Sequence, residues 1–145
     1  MISIIQLVKQ ADVRVADNIV GAIQQGILAL VGFEKSDSLR EVEKLFKKIV
    51  TYRIFPDAEG KTNLSLVDVQ GGLLLVPQFT LVAETSKGSR PSFSSGMAPL
   101  EGKELFDELV AYAKDNYPHT ECGVFGAYMQ VSLCNDGPMT FYFKV

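Results

Sequence analysis

Apolar positions along the chain change period several times, and each change marks an element. Residues 2–8, ISIIQLV, are nearly all apolar and of strand length, which predicts a buried strand. Val13-Arg14-Val15 and Ile19-Val20 flank Asp17-Asn18. Asp and Asn tolerate the positive φ of a tight turn, so a hairpin is expected there. Gly26 to Phe33 is an unbroken apolar run, the pattern of a central strand covered on both faces. Leu39, Val42, Leu45, Phe46, Ile49 and Val50 then recur at helical spacing. Ser38 and Glu41 precede them as a capping box, so a helix is predicted over 39–51.

Tyr52 to Phe55 reads as a short strand closed by the turn cluster PDAEGK. Leu64–Val69 and Leu73–Val76 read as two strands around Gln70-Gly71-Gly72. Residues 84–99, ETSKGSRPSFSSGMAP, are polar and rich in Gly, Ser and Pro. They predict a long loop of the kind that carries function. Leu105, Phe106, Leu109, Val110 and Ala113 share one face of a second helix, which Pro118 ends. GVFGAYMQVSL, 123–133, alternates as a half-buried strand, and TFYFKV closes the chain as another. Eight or nine strands and two helices predict an α+β domain. The expected form is a compact, largely antiparallel barrel-like or two-sheet body with two main helices packed outside.

Composition narrows the function classes. The 145 residues are 47% apolar and 21% charged, with a net charge of −3, and carry no linker or repeat. A single domain over 1–145 is expected. No run of five Lys/Arg exists, so contact with nucleic acid needs a local basic patch. The start, MISIIQLVKQ, lacks the pattern of a signal peptide, and no apolar stretch approaches the roughly 20 residues of a membrane helix. A soluble cytoplasmic protein is the expectation. Cys122 and Cys134 are the only cysteines. With 121–134 mostly one strand they would stand on the order of 40 Å apart, too far for a disulfide. One histidine and no CxxC argue against a metal.

The usual catalytic side chains are scarce. His119 stands beside Pro118 with no orienting carboxylate pattern. Gly71-Gly72 lacks the Lys and Ser/Thr of a phosphate loop, and no Gly-rich cofactor fingerprint occurs. No cofactor is expected. Two stretches remain, VPQFTLVAE at 76–84 and NDGPMT at 135–140. The first reads as a strand with Gln78 and Thr80 facing out, or as a site. The second reads as a hairpin turn, or as a backbone that does work itself.

These stretches, with YRIFPDAEGKTNLSL, KGSRPSF and MQVSLCNDGPMTF, resemble the D-aminoacyl-tRNA deacylases of the bacterial and eukaryotic type. The resemblance runs the full length. The family's Ser-Gln-x-x-Leu motif is matched by Pro77-Gln78-Phe79-Thr80-Leu81, and its Asn-x-x-Pro-x-Thr motif by Asn135, Pro138 and Thr140, with Gly137 before the proline. Pro77 stands where Ser is usual, and Leu7 where many members have an Arg thought to hold the Gly-Pro pair.

The resemblance implies a homodimer acting on aminoacyl-tRNA, cleaving the ester of a D-amino acid or glycine from the 3′-terminal adenosine with help from the tRNA's 2′-OH. It implies a catalytic pocket of Gln78, the Phe79 backbone and Thr80. It also implies a Gly137-cisPro138 filter, framed by Asn135 and Thr140, reaching in from the other subunit. A rigid backbone where an L side chain would lie rejects the L form whatever its chemistry. Lys87, Arg90 and Phe93 of the 84–99 loop are the expected tRNA contacts. The rival reading from another class is a non-catalytic nucleic-acid-binding dimer.

Overall fold

A computed structural model describes residues 1–145. The long strand β1 (Ile2–Val15) organises the sheet. One of its edges carries β3 (Gly26–Gly32) at residues 2–8 and β2 (Asn18–Ile23) at residues 11–15. Its other edge carries β8 (Gln130–Lys144), and all three pairings are antiparallel. Beyond β3 lie β6 (Gly72–Pro77) and β7 (Thr120–Cys122), both in parallel pairing. A two-stranded ribbon, β4 (Phe55–Pro56) with β5 (Thr62–Leu64), stands apart. The sheet curls until β2 meets β7: a Cβ on Gly21 would lie 2.6 Å from the Cys122 carbonyl oxygen. Only a glycine permits that approach, and it nearly closes a barrel.

The barrel is covered outside by helices α1 (Leu39–Thr51) and α3 (Pro99–Asn116), with the short α2 (Leu66–Val69) beside them. Ile27, Ala29 and Val31 of β3 and Leu73 and Leu75 of β6 pack against Leu45, Ile49, Phe106 and Leu109 of the helices. The alternate residues Leu28, Leu74 and Val76 fill the barrel interior with Val8, Ala11, Val13 and Ile23. Both faces of β3 and β6 are therefore buried, which is why their sequences read as unbroken apolar runs.

β1 changes sides partway. Ile5 and Leu7 belong to the helix-facing core, whereas Ala11 and Val13 belong to the interior. The switch falls where the β1–β8 register shifts between Val8 and Gln10, so that Lys9 is an extra residue opposite Asn135 and Cys134. One inserted residue inverts the inward parity of a strand.

Helix α1 spans 39–51 as its periodicity predicts, and Glu41 reaches back to the Ser38 amide at 3.1 Å to close the capping box. Helix α3 ends at Asn116; Tyr117 is extended, as a residue before proline is pushed to be.

Several expectations change. Residues 64–69 are not one strand: Ser65 and Asp68 cap helix α2, with the Ser65 amide donating to Asp68 at 2.8 Å. Residues 123–129 are irregular, and the strand starts only at Gln130. The inference from a straight 121–134 strand therefore fails, although both cysteines are free thiols. The positive φ values of the first hairpin fall on Ala16 and Asp17, one residue earlier than the Asp-Asn pair suggests. The short strand expected over 52–55 is confined to Phe55–Pro56.

NDGPMT is not a hairpin. The chain keeps its direction through it, and β8 pairs β1 on both sides. Gln6 faces Thr140 and Val8 faces Asn135, so a single residue of β1, Leu7, stands opposite the four residues 136–139. Those four leave the ladder as an excursion.

Candidate active site

The cavity that draws the first motif together has a volume of about 520 Å³ and opens at the carboxyl ends of the parallel strands β3 and β6. Strand ends of a parallel sheet leave backbone groups unpaired and loops diverging, which makes a crevice. Val31 and Phe33 form one wall, Pro77, Gln78 and Phe79 a second, and Phe125 closes it from the irregular 123–129 segment. Phe125 packs on Phe106 of α3 with ring centroids 6.1 Å apart. The alternation of 123–133 suggests a strand and hides this role.

Gln78 is held by the sheet. Its amide donates to the Val31 carbonyl at 2.7 Å, the last rung of the β3–β6 ladder. A 3-10 helix, Phe79–Val82, begins at once. The amides of Phe79 and Thr80, in its first turn, have no acceptor within the helix. The Gln78 side-chain amide donates to the Thr80 hydroxyl. Gln78 and Phe79 thus line the cavity, and Thr80 joins them through this bond. Pro77 is buried in the wall. Because the Gln78 amide points to β3, the Pro77 nitrogen points the other way, where β7 has already ended at Cys122. The missing N–H therefore removes no ladder bond.

No titrating base enters the cavity: its lining contains neither a histidine nor a carboxylate. His119 is exposed and rests edge-on against Tyr117, centroids 5.8 Å apart. Burial pushes the Cys122 thiol up, which disfavours a thiolate.

Phe93, from the 84–99 loop, leans on Phe79 with centroids 5.0 Å apart at 54°, and both rings are exposed at the cavity mouth. The loop is as irregular as its composition predicts, pinned by the Glu84–Ser92 and Glu34–Gly96 pairs and by the Ser95 hydroxyl on the Val82 carbonyl. The Ser86 amide on the Glu84 carboxylate, at 2.8 Å, holds that group below the usual carboxylate range and fixes the loop's start. Lys87 and Arg90 lie at the exposed tip and do not line the cavity.

The second motif forms its own unit. Asn135 Oδ1 accepts the Met139 amide at 2.8 Å. Asn135 Nδ2 donates to the Met139 carbonyl at 3.3 Å and to the Thr140 hydroxyl at 3.0 Å. One side chain thus brackets the excursion, and an Arg at position 7 is not its anchor here: Leu7 is buried in the core. The Gly137–Pro138 peptide is cis, and Gly137 has φ +142°. A Cβ on Gly137 would lie 2.6 Å from Met139 Cγ and 2.8 Å from the Met139 amide nitrogen. Gly137 and Pro138 are exposed and absent from the cavity lining. Strands β1 and β3 separate them from Gln78.

Residues 4–144 match the family described as D-Tyr-tRNA(Tyr) deacylase. A curated relative from Legionella pneumophila (strain Lens), named D-aminoacyl-tRNA deacylase, is 54% identical over 97% of each chain. The solved structure titled c-Myc DNA Unwinding Element Binding Protein is 34% identical, with a TM-score of 0.95 over 100% of this chain and 99% of that one. A structure titled as a probable eukaryotic D-amino acid tRNA deacylase shares the fold at a TM-score of 0.88 over 99% and 98% of the two chains, with 15% identity. A full-length match of this kind, on a barrel whose crevice holds the Gln78–Thr80 segment, places the chain in the D-aminoacyl-tRNA deacylase family.

Proposed function

We propose that the protein hydrolyses the ester between a D-amino acid, or glycine, and the 3′-terminal adenosine of tRNA, as a cytoplasmic homodimer that proofreads chirality in translation. Its single domain spans residues 1–145. The observation that carries this reading is a cavity furnished with backbone and amide groups, and neither carboxylate nor histidine, in a chain that belongs to this family.

Water attacks the ester carbonyl, the bond from carbonyl carbon to O3′ breaks, and the leaving O3′ takes a proton through the neighbouring 2′-OH. The amide of Phe79, without an acceptor inside its own helix, binds the oxyanion that forms. Loss of one such donor typically costs about 10²–10³ in rate. Gln78 orients the Thr80 hydroxyl, and the two position the ester. Thr80 is not the nucleophile: no base adjoins it, and an unactivated hydroxyl is weak.

Chirality is read by Gly137 and Pro138 of the partner subunit, held in shape by Asn135 and Thr140. Their exposure, and their distance across two strands from their own cavity, support a role in trans. A dimer also finds support in the edge of β8 that no strand of this chain pairs, and in Val131, Leu133 and the 92%-exposed Tyr128 near it. Lys87, Arg90 and Phe93 meet the tRNA beyond the terminal nucleoside.

The test is release of tyrosine from D-tyrosyl-tRNA and L-tyrosyl-tRNA. Rapid release from the D ester alone is expected; no release from it at micromolar enzyme would contradict the proposal. The likeness to a c-Myc DNA unwinding element binding protein favours a second reading, a nucleic-acid-binding dimer without catalysis. Binding of nucleic acid with intact D-tyrosyl-tRNA at the end of the assay would select it.

A further inference from the structure

We propose that Lys35 holds the phosphodiester on the 5′ side of the terminal adenosine and so docks the substrate's last linkage at the cavity mouth. This rests on the deacylase reading above.

Among the residues that line the cavity, Lys35 alone carries a charge. It lies just beyond β3, with Glu34 before it and Asp37 shortly after, so a surface ion pair would be the ordinary outcome. The acids are engaged elsewhere. Glu34 takes Lys144 at 2.7 Å and the Met1 ammonium at 3.3 Å. Asp37 also takes the Met1 ammonium and accepts the Glu34 amide at 2.7 Å. Lys35 makes no ion pair. Lys35 is thus a lining residue without an ion-pair partner in an otherwise uncharged cavity.

Its backbone is fixed as well. The Lys35 amide donates to the Ser95 carbonyl at 3.4 Å, and the Met97 amide to the Phe33 carbonyl at 3.0 Å. Glu34 bridges Gly96. The lysine is thus tied to the wall formed by Phe93, Ser94 and Met97. A volume of about 520 Å³ suits one small ligand of the size of an aminoacyl nucleoside. The chain of the nucleic acid must leave through the mouth, and its first group there is an anionic phosphodiester. A lysine is a compact point charge that binds phosphate from a range of angles.

The experiment compares 3′-O-(D-tyrosyl)adenosine with the same ester carrying a 5′-methyl phosphate diester. Lys35→Ala should raise KM for the diester roughly three- to tenfold, the scale of a partly exposed charge pair, with kcat unchanged. The phosphate-free ester should change less than about twofold. Lys35→Arg should recover the diester KM, which a merely structural role would not do. Equal effects on both esters, or none on either, would overturn the assignment while leaving the deacylase reading intact. Failure of the unmodified protein to cleave either ester would overturn both.

Discussion

The two motif segments are held by different means. Residues 76–82 inherit their position from the sheet: a parallel ladder delivers Gln78 to the crevice, and its last rung is a backbone bond to Val31. Residues 135–140 leave the ladder, and the side chain of Asn135 brackets them through three hydrogen bonds. Side-chain changes at the first segment remove chemistry but leave the backbone standing. A side-chain change at the second removes the backbone's own shape. On the proposed backbone filter, that makes Asn135 more consequential than its distance from the ester suggests.

Asn135→Ala is the sharpest way to break this contrast. A displacement near 1 Å in a positioned group can cost on the order of 100-fold in rate, and that is the loss expected with D-tyrosyl-tRNA. The D-to-L ratio should fall with it, while the melting temperature drops only a few degrees, read by parallel melts. Gly137→Ala is a poorer probe, because the new Cβ meets Met139 of its own chain before any ligand. Thr80→Ala should have a smaller effect, a loss of about tenfold for one hydrogen bond that positions the ester. Intact melting and no acyl-enzyme in rapid-quench mass spectra of the unmodified protein should accompany it.

Lys87→Ala with Arg90→Ala should weaken tRNA binding a few-fold and lower the salt slope by about 0.7 for each lost phosphate contact. Binding titrations at several salt concentrations read this, and the D-to-L ratio should not move. The smallest effect concerns the sheet alone. The hydrogen bond from Lys144 is the chief cause that holds the Glu34 carboxyl below its ordinary 4.5. A depressed carboxylate stabilises the fold above the unfolded value, and that contribution is lost as pH falls through the folded value. Melts of Glu34→Gln should therefore be lower than those of the parent at pH 7, and the gap should narrow as pH falls below the ordinary 4.5.

Helix α1, strands β3 and β6 and the 84–99 loop were legible because burial on one or both faces writes itself into periodicity. Helix α2 was not, since four residues are too few for a period; its signal was the Ser65-x-x-Asp68 cap. The 123–129 segment misled because Phe125 and Met129 are apolar for the sake of a cavity and a barrel interior, not for alternation along a strand. The Gln78–Thr80 and Asn135–Thr140 segments were found by resemblance. Composition left both open between turn or strand and site. The bracket by Asn135 and the turning away of Glu34 and Asp37 from Lys35 depend on side-chain partners that no spacing encodes.

On the proposed reading, each working site joins the Gln78–Thr80 cavity of one chain to the Asn135–Thr140 excursion of another. Subunit mixing tests it directly. The double variant Gln78→Ala/Thr80→Ala damages the cavity, and Asn135→Ala damages the excursion. Each alone should keep about a tenth or less of the parent activity on D-tyrosyl-tRNA. Unfolded together and refolded as an equal mixture, they should regain roughly a quarter of the parent activity, since half the two-fold dimers are mixed and each holds one intact site. No regain, with mixed dimers verified by native mass spectrometry, would contradict the claim and return the filter to its own chain.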